Sequence, residues 1–317
     1  MSEHCYVGID LGGTTAKAIG LMDGNPGLLH RMPTVSDAPP GRIFDDLTEL
    51  ARRTASGRDI SALGIAMPGL VDPITGRNAF AGNLHWQDVC VREEMQKRLG
   101  VPVAVENDAN AAALGEHIYG TASGARDFIF ISLGTGIGSG IFVDGRMLTG
   151  SRGAAGEIGH IVLNPEGPPC SCGSYGCLEA LAGGWAIIRD ARAAVRSGQE
   201  TKLTALISRG ELLDVKAIAD VAREKDAVAQ QILDHALQWL GLGVVNVVNL
   251  LNPELVVIGG GLSHMGGPLL KTVRDCVLRY GMPVQRAVVR IELSQLEDRA
   301  GALGAVELAR SEISRAI

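Results

Sequence analysis

Short apolar runs of β-forming residues lead into glycine-rich turns at two widely separated places in the chain. Tyr6–Asp10 runs into LGGTTAKAIG, and a second β-prone run, Lys17–Leu21, follows almost directly. This predicts a hairpin that turns at Gly12-Gly13-Thr14-Thr15. Asp127–Ser132 repeats the design: it enters the turn Leu133–Gly140 (LGTGIGSG) and returns at Ile141–Val143. No short period recurs, so the pattern predicts two related halves rather than a repeat array.

Between and after the hairpins, helical spacing alternates with further strands, which predicts an α/β protein. Ile43, Leu47, Leu50 and Ala51 mark a helix over Gly41–Ser56. Ala62–Met67 reads as a strand stopped by Pro68-Gly69, Val89–Leu99 as a helix closed by Gly100, and Val101–Val105 as the next strand. Asn107 or Asp108 then N-caps an alanine-rich helix that runs to about Tyr119. Helices are expected over Gly184–Arg196, Ala227–Leu251 (with Ile232, Ala236, Trp239 and Leu240 apolar), Pro268–Arg279 and Ala300–Arg315. Leu255–Ile258 is a strand that ends in Gly259-Gly260-Gly261.

Composition narrows the class. A length of 317 residues suits about two domains, and 46% hydrophobic with 20% charged residues is a globular balance. A net charge of -6 argues against a nucleic-acid surface. The longest apolar run, Trp239–Leu251, contains Asn246 and Asn249 and is too short and too polar to span a bilayer. The N-terminus has no basic segment of the export type, so a cytoplasmic location is expected. Only five residues precede Tyr6, so no helix-turn-helix is expected ahead of the first turn.

Three of the six cysteines crowd into GEIGHIVLNPEGPPCSCGSYGCLEA, residues 156–180. His160, Cys170, Cys172 and Cys177 form the Cys3His set of a closed, structural zinc site. Glu157 and Glu179 flank it, and folding around one ion would bring both carboxylates together to accept hydrogen bonds from a polyhydroxyl ligand. In the first turn, Gly12 and Gly13 expose backbone N–H groups to a phosphate and Thr14 adds a hydroxyl. Asp10 can hold Mg2+ through water, and Lys17 adds a positive charge. Gly134, Thr135 and Gly136 repeat the donor arrangement, and Gly259, Gly260 and Gly261 can pass a nucleotide close to backbone. There is no GxxxxGK[ST] and no GxGxxG before a helix, which argues against P-loop and Rossmann proteins. Asp108, where a strand gives way to a helix, is placed to accept a hydroxyl proton during in-line phosphoryl transfer.

DLGGTTAKAIG, ENDANAAALGE, LGTGIGSG, GEIGH with CSCGSYGCLE, and VVIGGG resemble, in order, the motifs of the ROK sugar kinases (repressor, open reading frame, kinase). The resemblance implies an actin-like ATPase (ribonuclease-H-like) α/β fold, with two duplicated domains around a cleft that holds ATP and Mg2+. It implies a homodimer and a last helix that returns to the N-terminal domain, hence domains of residues 1–120 plus 300–317 and of residues 121–299. Within the family the glucokinase group is the nearest likeness, which implies phosphorylation of glucose at the 6-hydroxyl. N-acetylglucosamine, N-acetylmannosamine, mannose and fructose kinases, and sugar-responsive repressors, remain the alternatives. Carried over by motif, Asp108 is the base, and Asn107, Glu157, His160 and Glu179 contact sugar, with His160 also on the zinc. Gly69 and Asn83 join the sugar contacts, Asn83 in a GNLHW stretch where Gly82 stands in place of a frequent proline.

Overall fold

Cys5–Leu11 (β1) and Thr15–Met22 (β2) pair antiparallel as the alternation predicts, and the register sets Asp10 opposite Lys17. The computed structural model describes residues 4–316. Asn25–Pro26 (β3), His30–Pro33 (β4), Pro40–Ala55 (α1), Ile60–Met67 (β5), Leu70–Asp72 (β6), Arg77–Ala81 (β7) and Trp86–Cys90 (β8) follow. Val91–Leu99 (α2), Val103–Asn107 (β9) and Asp108–Tyr119 (α3) complete the first part of the chain. Next come Phe128–Leu133 (β10), Ile137–Val143 (β11), Arg146–Met147 (β12), Leu178–Ala182 (α4), Gly184–Arg196 (α5), Leu203–Ser208 (α6), Val215–Arg223 (α7) and Ala227–Leu251 (α8). Leu255–Gly259 (β13), Gly267–Tyr280 (α9), Pro283–Val288 (α10), Arg290–Leu293 (β14) and Ala300–Ala316 (α11) end it.

One sheet has the order β3-β2-β1-β5-β9, with β4 also on β2, and another the order β12-β11-β10-β13-β14. In each, the strand that leads the hairpin is followed outward by two parallel partners: β5 and β9 beyond β1, β13 and β14 beyond β10. The two sheets therefore share one topology. The chain divides into two compact units, the described residues of Met1–Arg126, Gly140–Gly156 and Gln295–Ile317 in one, and Asp127–Ser139 with Glu157–Ser294 in the other.

In the first unit, Val7, Ile9 and Leu11 of β1 meet Phe44, Leu47 and Leu50 of α1, with Ile65 and Val105 in the same core. The opposite face of β1 and β5 is covered by α11, which also packs on α3. There the backbones touch. A methyl group on Gly8 would overlap the Ala302 carbonyl, and one on Gly64 the Ala305 carbonyl. One on Gly115 would overlap the Ala300 carbonyl, and one on Gly304 the Ala111 carbonyl.

Four sequence expectations are corrected. The return strand of the second hairpin, expected at Ile141–Val143 after a turn over Leu133–Gly140, begins already at Ile137, so only residues 134–136 form the turn. Val89 lies in β8, not in a helix, because it pairs with Asn78 of β7, and α2 begins only at Val91. The strand expected over Val101–Val105 is shifted to Val103–Asn107, where it pairs in parallel register with Leu63–Met67. The glycines after β13 open a 3-10 turn, Gly261–Met265, and the helix starts after it, at Gly267. In α8, Ala236 and Leu240 are buried as expected, whereas Ile232 and Trp239 are half-buried.

Gly64→Ala should lower unfolding stability by about 3 kcal/mol, because a backbone carbonyl cannot move aside as a side chain can. Denaturant unfolding checks it, and a loss under about 0.5 kcal/mol would contradict this packing.

Candidate functional site

In the first unit, Asp10 leaves the end of β1 beside the first residues of α11, where a Cβ on Gly301 would stand 2.7 Å from the Asp10 carboxyl carbon. Burial raises the Asp10 pKa to about 6; cross-strand Lys17 pulls it down, and the charges of Asp108 and Asp298 push it up. Asp298 is a site neighbour that the sequence did not reveal. It pairs with Arg31 at 2.7 Å and is held below the usual carboxylate range by that bond and by Lys17, against the effect of its own burial. The Gly12 N–H closes the turn on the Thr15 carbonyl at 3.1 Å. Gly13 and Thr14 have N–H groups with no acceptor among the described residues. Asn83, on the 3-10 turn Gly82–Leu84, lies against Gly13.

The junction of β9 and α3 separates two tasks. Asn107, in extended conformation, is the N-cap, and its Oδ1 accepts the N–H groups of Ala109 and Asn110 at 2.9 and 3.2 Å. Its Nδ2 donates to the Gly69 carbonyl at 3.2 Å. Gly69 has φ +95, and a Cβ there would overlap the Phe80 carbonyl, so only glycine fits. Because Asn107 caps the helix, the Asp108 side chain is not needed for that purpose. Its Oδ1 accepts the Ala109 N–H at 2.8 Å, and no side chain donates to it among the described residues. Burial raises the Asp108 pKa, and backbone N–H groups offset part of that rise.

In the second unit, one ligand atom from each of His160, Cys170, Cys172 and Cys177 lies within 4.8 Å of the others. Cys170 Sγ is 3.5 Å from His160 Nδ1, and Cys172 Sγ is 3.7 Å from Cys177 Sγ. A tetrahedron with Zn–S of about 2.3 Å and Zn–N of about 2.0 Å has edges of roughly 3.5–3.8 Å, so the donor set fits zinc. Burial pushes the Cys177 thiol up to about 12, a cost that a cation bound to the thiolate would remove. His160 is the last residue of the 3-10 turn Ile158–His160 that Glu157 precedes. With Nδ1 toward the sulfurs, its Nε2 is the nitrogen left for another partner.

Glu179 links the cysteine loop to the second glycine turn. Its Oε2 accepts the Ile137 N–H at 2.9 Å, and its Oε1 accepts from Ser171 Oγ and Trp185 Nε1, each at 3.4 Å. A side chain at Gly136 would overlap this carboxylate. Gly134 closes its own turn by donating to the Gly136 carbonyl at 3.0 Å, while the N–H groups of Thr135 and Gly136 have no acceptor among the described residues. Gly260 has φ +83 and presses on the Leu133 backbone, Gly259 packs against the Phe130 ring, and Gly261 faces open space. No described helix is long and apolar enough to cross a membrane.

The family model described as ROK family matches residues 6–312. A glucokinase of Halalkalibacterium halodurans is 36% identical over 311 residues, which cover 96% of this chain and 94% of that protein. A xylose repressor of Caldicellulosiruptor bescii is 34% identical over 274 residues, 86% of this chain and 68% of that protein. The crystal structure of a ROK family glucokinase from Streptomyces griseus in complex with glucose and AMPPNP superposes with TM-score 0.84 at 34% identity, and covers 97% of this chain and 99% of that one. The fold is thus that of the ROK kinases, actin-like, as expected.

The raised Asp10 pKa implies that the folded state binds this proton more tightly than the unfolded chain does. Its stabilising contribution is therefore complete below about pH 4 and is lost as pH rises through about 6. Asp10→Asn should melt a few degrees higher than the wild type at pH 7, with the gain shrinking toward pH 4. Thermal melts at the two pH values check this, and an equal or lower Tm at pH 7 would contradict it. Cys172→Ser should lose bound zinc and weaken sugar affinity by about tenfold. Metal analysis that finds no zinc in the wild-type protein would remove the basis for that expectation.

Proposed function

Since the chain belongs to the ROK family, we propose that it phosphorylates glucose at the 6-hydroxyl with ATP as the donor. The observation that carries this reading is the separation of tasks at the β9–α3 junction, where Asn107 caps the helix and leaves the desolvated Asp108 carboxylate to act as a base. The full-length likeness to a bacterial glucokinase supports the choice of sugar. A homodimer is part of the same reading.

Asp108 accepts the 6-hydroxyl proton as that oxygen attacks the γ-phosphoryl group, and a raised pKa makes it a stronger base for the task. Carried over by motif, Asn107, Gly69, Asn83, Glu157, His160 and Glu179 are the sugar contacts of this reading. The N–H groups of Gly13 and Thr14, and of Thr135 and Gly136, receive phosphate oxygens, while Gly259–Gly261 leave backbone open to the nucleotide. Asp10, with Lys17 nearby, would hold Mg2+, which would supply neutralisation of charge on the phosphates. His160, Cys170, Cys172 and Cys177 would hold zinc, which would keep the loop in shape.

The likeness to a xylose repressor supports a second reading, a sugar sensor without phosphoryl transfer. A coupled assay with ATP and Mg2+ across glucose, mannose, fructose, N-acetylglucosamine and N-acetylmannosamine separates the readings. Glucose should give the highest kcat/KM; a rank among the poorest would overturn the assignment of the sugar, and no turnover of any sugar would favour the sensor. Asp108→Asn should keep glucose affinity within a few fold while kcat falls about 10²–10⁴-fold. Near-normal turnover in that variant would point to another base.

A further inference from the structure

Glu106 is 5% exposed, and burial raises its pKa, so an ionised carboxylate there is costly. It is the penultimate residue of β9, directly before Asn107 and Asp108. Its Oε1 accepts the backbone N–H of Asn107 at 2.9 Å and Asn110 Nδ2 at 3.0 Å. The Asn110 N–H in turn donates to Asn107 Oδ1 at 3.2 Å. These three bonds form a closed ring around the turn that carries Asp108, and none of them uses the Asp108 carboxylate.

A simpler cap was available. Asn110 is the third residue of α3, where a side-chain acceptor ordinarily reaches back to the N–H of the capping residue. Here Glu106 takes that N–H, and Asn110 Oδ1 is left buried with no hydrogen-bond partner. Glu106 Oε2 also makes no hydrogen bond within the described residues, and the residue lines a cavity of about 830 Å³ together with Arg92, Ile118 and Thr149. An orphaned amide oxygen and a half-used carboxylate are poor choices for stability alone. Local costs of this kind are expected where function sets the geometry.

We propose that Glu106, acting with Asn110, is a positioning residue that fixes the Asn107–Asp108 pair against the sugar. This rests on the kinase reading. Glu106 touches neither substrate; it sets the backbone N–H of Asn107 and, through it, the direction in which the Asp108 side chain leaves the turn. An error of about 1 Å in that direction is enough to cost about 10²-fold in rate.

The test compares Glu106→Ala, Glu106→Gln, Asn110→Ala and the double variant Glu106→Ala/Asn110→Ala with the wild type, by steady-state kinetics and calorimetric glucose binding. Glu106→Ala should lose about 10²-fold in kcat. Its KM for ATP should stay within about twofold of wild type, because the phosphate turns lie on other strands. Glu106→Gln keeps an acceptor for both N–H donors and should recover kcat to within about fivefold of wild type. The double variant should be no slower than Glu106→Ala, since one ring is broken in both. A well-folded Glu106→Ala within twofold of the wild-type kcat overturns the proposal, as does Gln failing to rescue. If Glu106→Ala does not fold, Glu106→Gln and Asn110→Ala decide: the expected pair is near-normal kcat in the first and at least a tenfold loss in the second, with KM for ATP unchanged, and equal rates in the two overturn it. The wild-type rate in the same assay tests the kinase reading separately, because no hexose turnover there refutes that reading whatever the variants do.

Discussion

The first unit depends on backbone contact between α11 and the elements beneath it. Where Gly8, Gly64, Gly115 and Gly304 meet carbonyls of the facing segments, no side chain lies between to absorb a shift. Elements packed in this way move as one block, since close-packed interiors transmit displacement rather than cushion it. Asp10 leaves β1, Asn107 ends β9 and Asp108 begins α3, so all three are carried on that block. Gly301 adds the same device at the site itself, by leaving room for the Asp10 carboxylate beside the first turn of α11. Groups that must act together are thus placed by main chain, which is the most economical form of preorganisation.

Electrostatics follow from that placement. Asp108 is close enough for its charge to raise the pKa of Asp10, and both half-buried carboxyls are pushed up by burial. Lys17 opposes this from across the hairpin, and Asp298 reinforces it from the segment before α11. The balance is an excess of negative charge on one side of a glycine turn whose free N–H groups suit anions. Such a combination is best satisfied by an anionic ligand that brings its own cation, as a nucleotide with a divalent metal does.

How much of this was legible in the sequence depended on distance along the chain. The two glycine hairpins and α8 were readable because their signals are local, and the bounds of α5 and α8 agree with the periodicity. The His160–Cys177 ligand set was readable for the same reason: all four donors fall within one loop. The sequence left Asn107 and Asp108 as equal candidates for the cap, and only backbone conformation decides between them. Asp298 was out of reach, because nothing local relates it to Asp10 or Arg31. Glu106 was hidden for another reason: a glutamate before a helix reads as an ordinary solvated residue until its burial is known. Val89 was misread as helical because pairing with β7 outweighed a helix-like pattern.

The duplication reaches past topology to the use of individual N–H groups. In the first turn Gly12 donates to the Thr15 carbonyl, and in the second Gly134 donates to the Gly136 carbonyl. Each turn therefore uses its leading N–H to close itself and leaves the next two, of a glycine and a threonine, without an internal acceptor. A turn that only connected two strands would gain from satisfying those donors as well, since unpaired N–H groups are tolerated only where water or a ligand reaches them. That the same two positions are spared on both hairpins argues that the duplicated feature is a grip for phosphate oxygens, with the sheets as its support. A difference in what backs the turns is instructive. The second turn is backed by Glu179, whose carboxylate accepts from Ile137 N–H, Ser171 and Trp185, so the cysteine loop and the turn share a single side chain. Loss of the loop's shape would then be felt at the second glycine turn as well, because one carboxylate ties the two together.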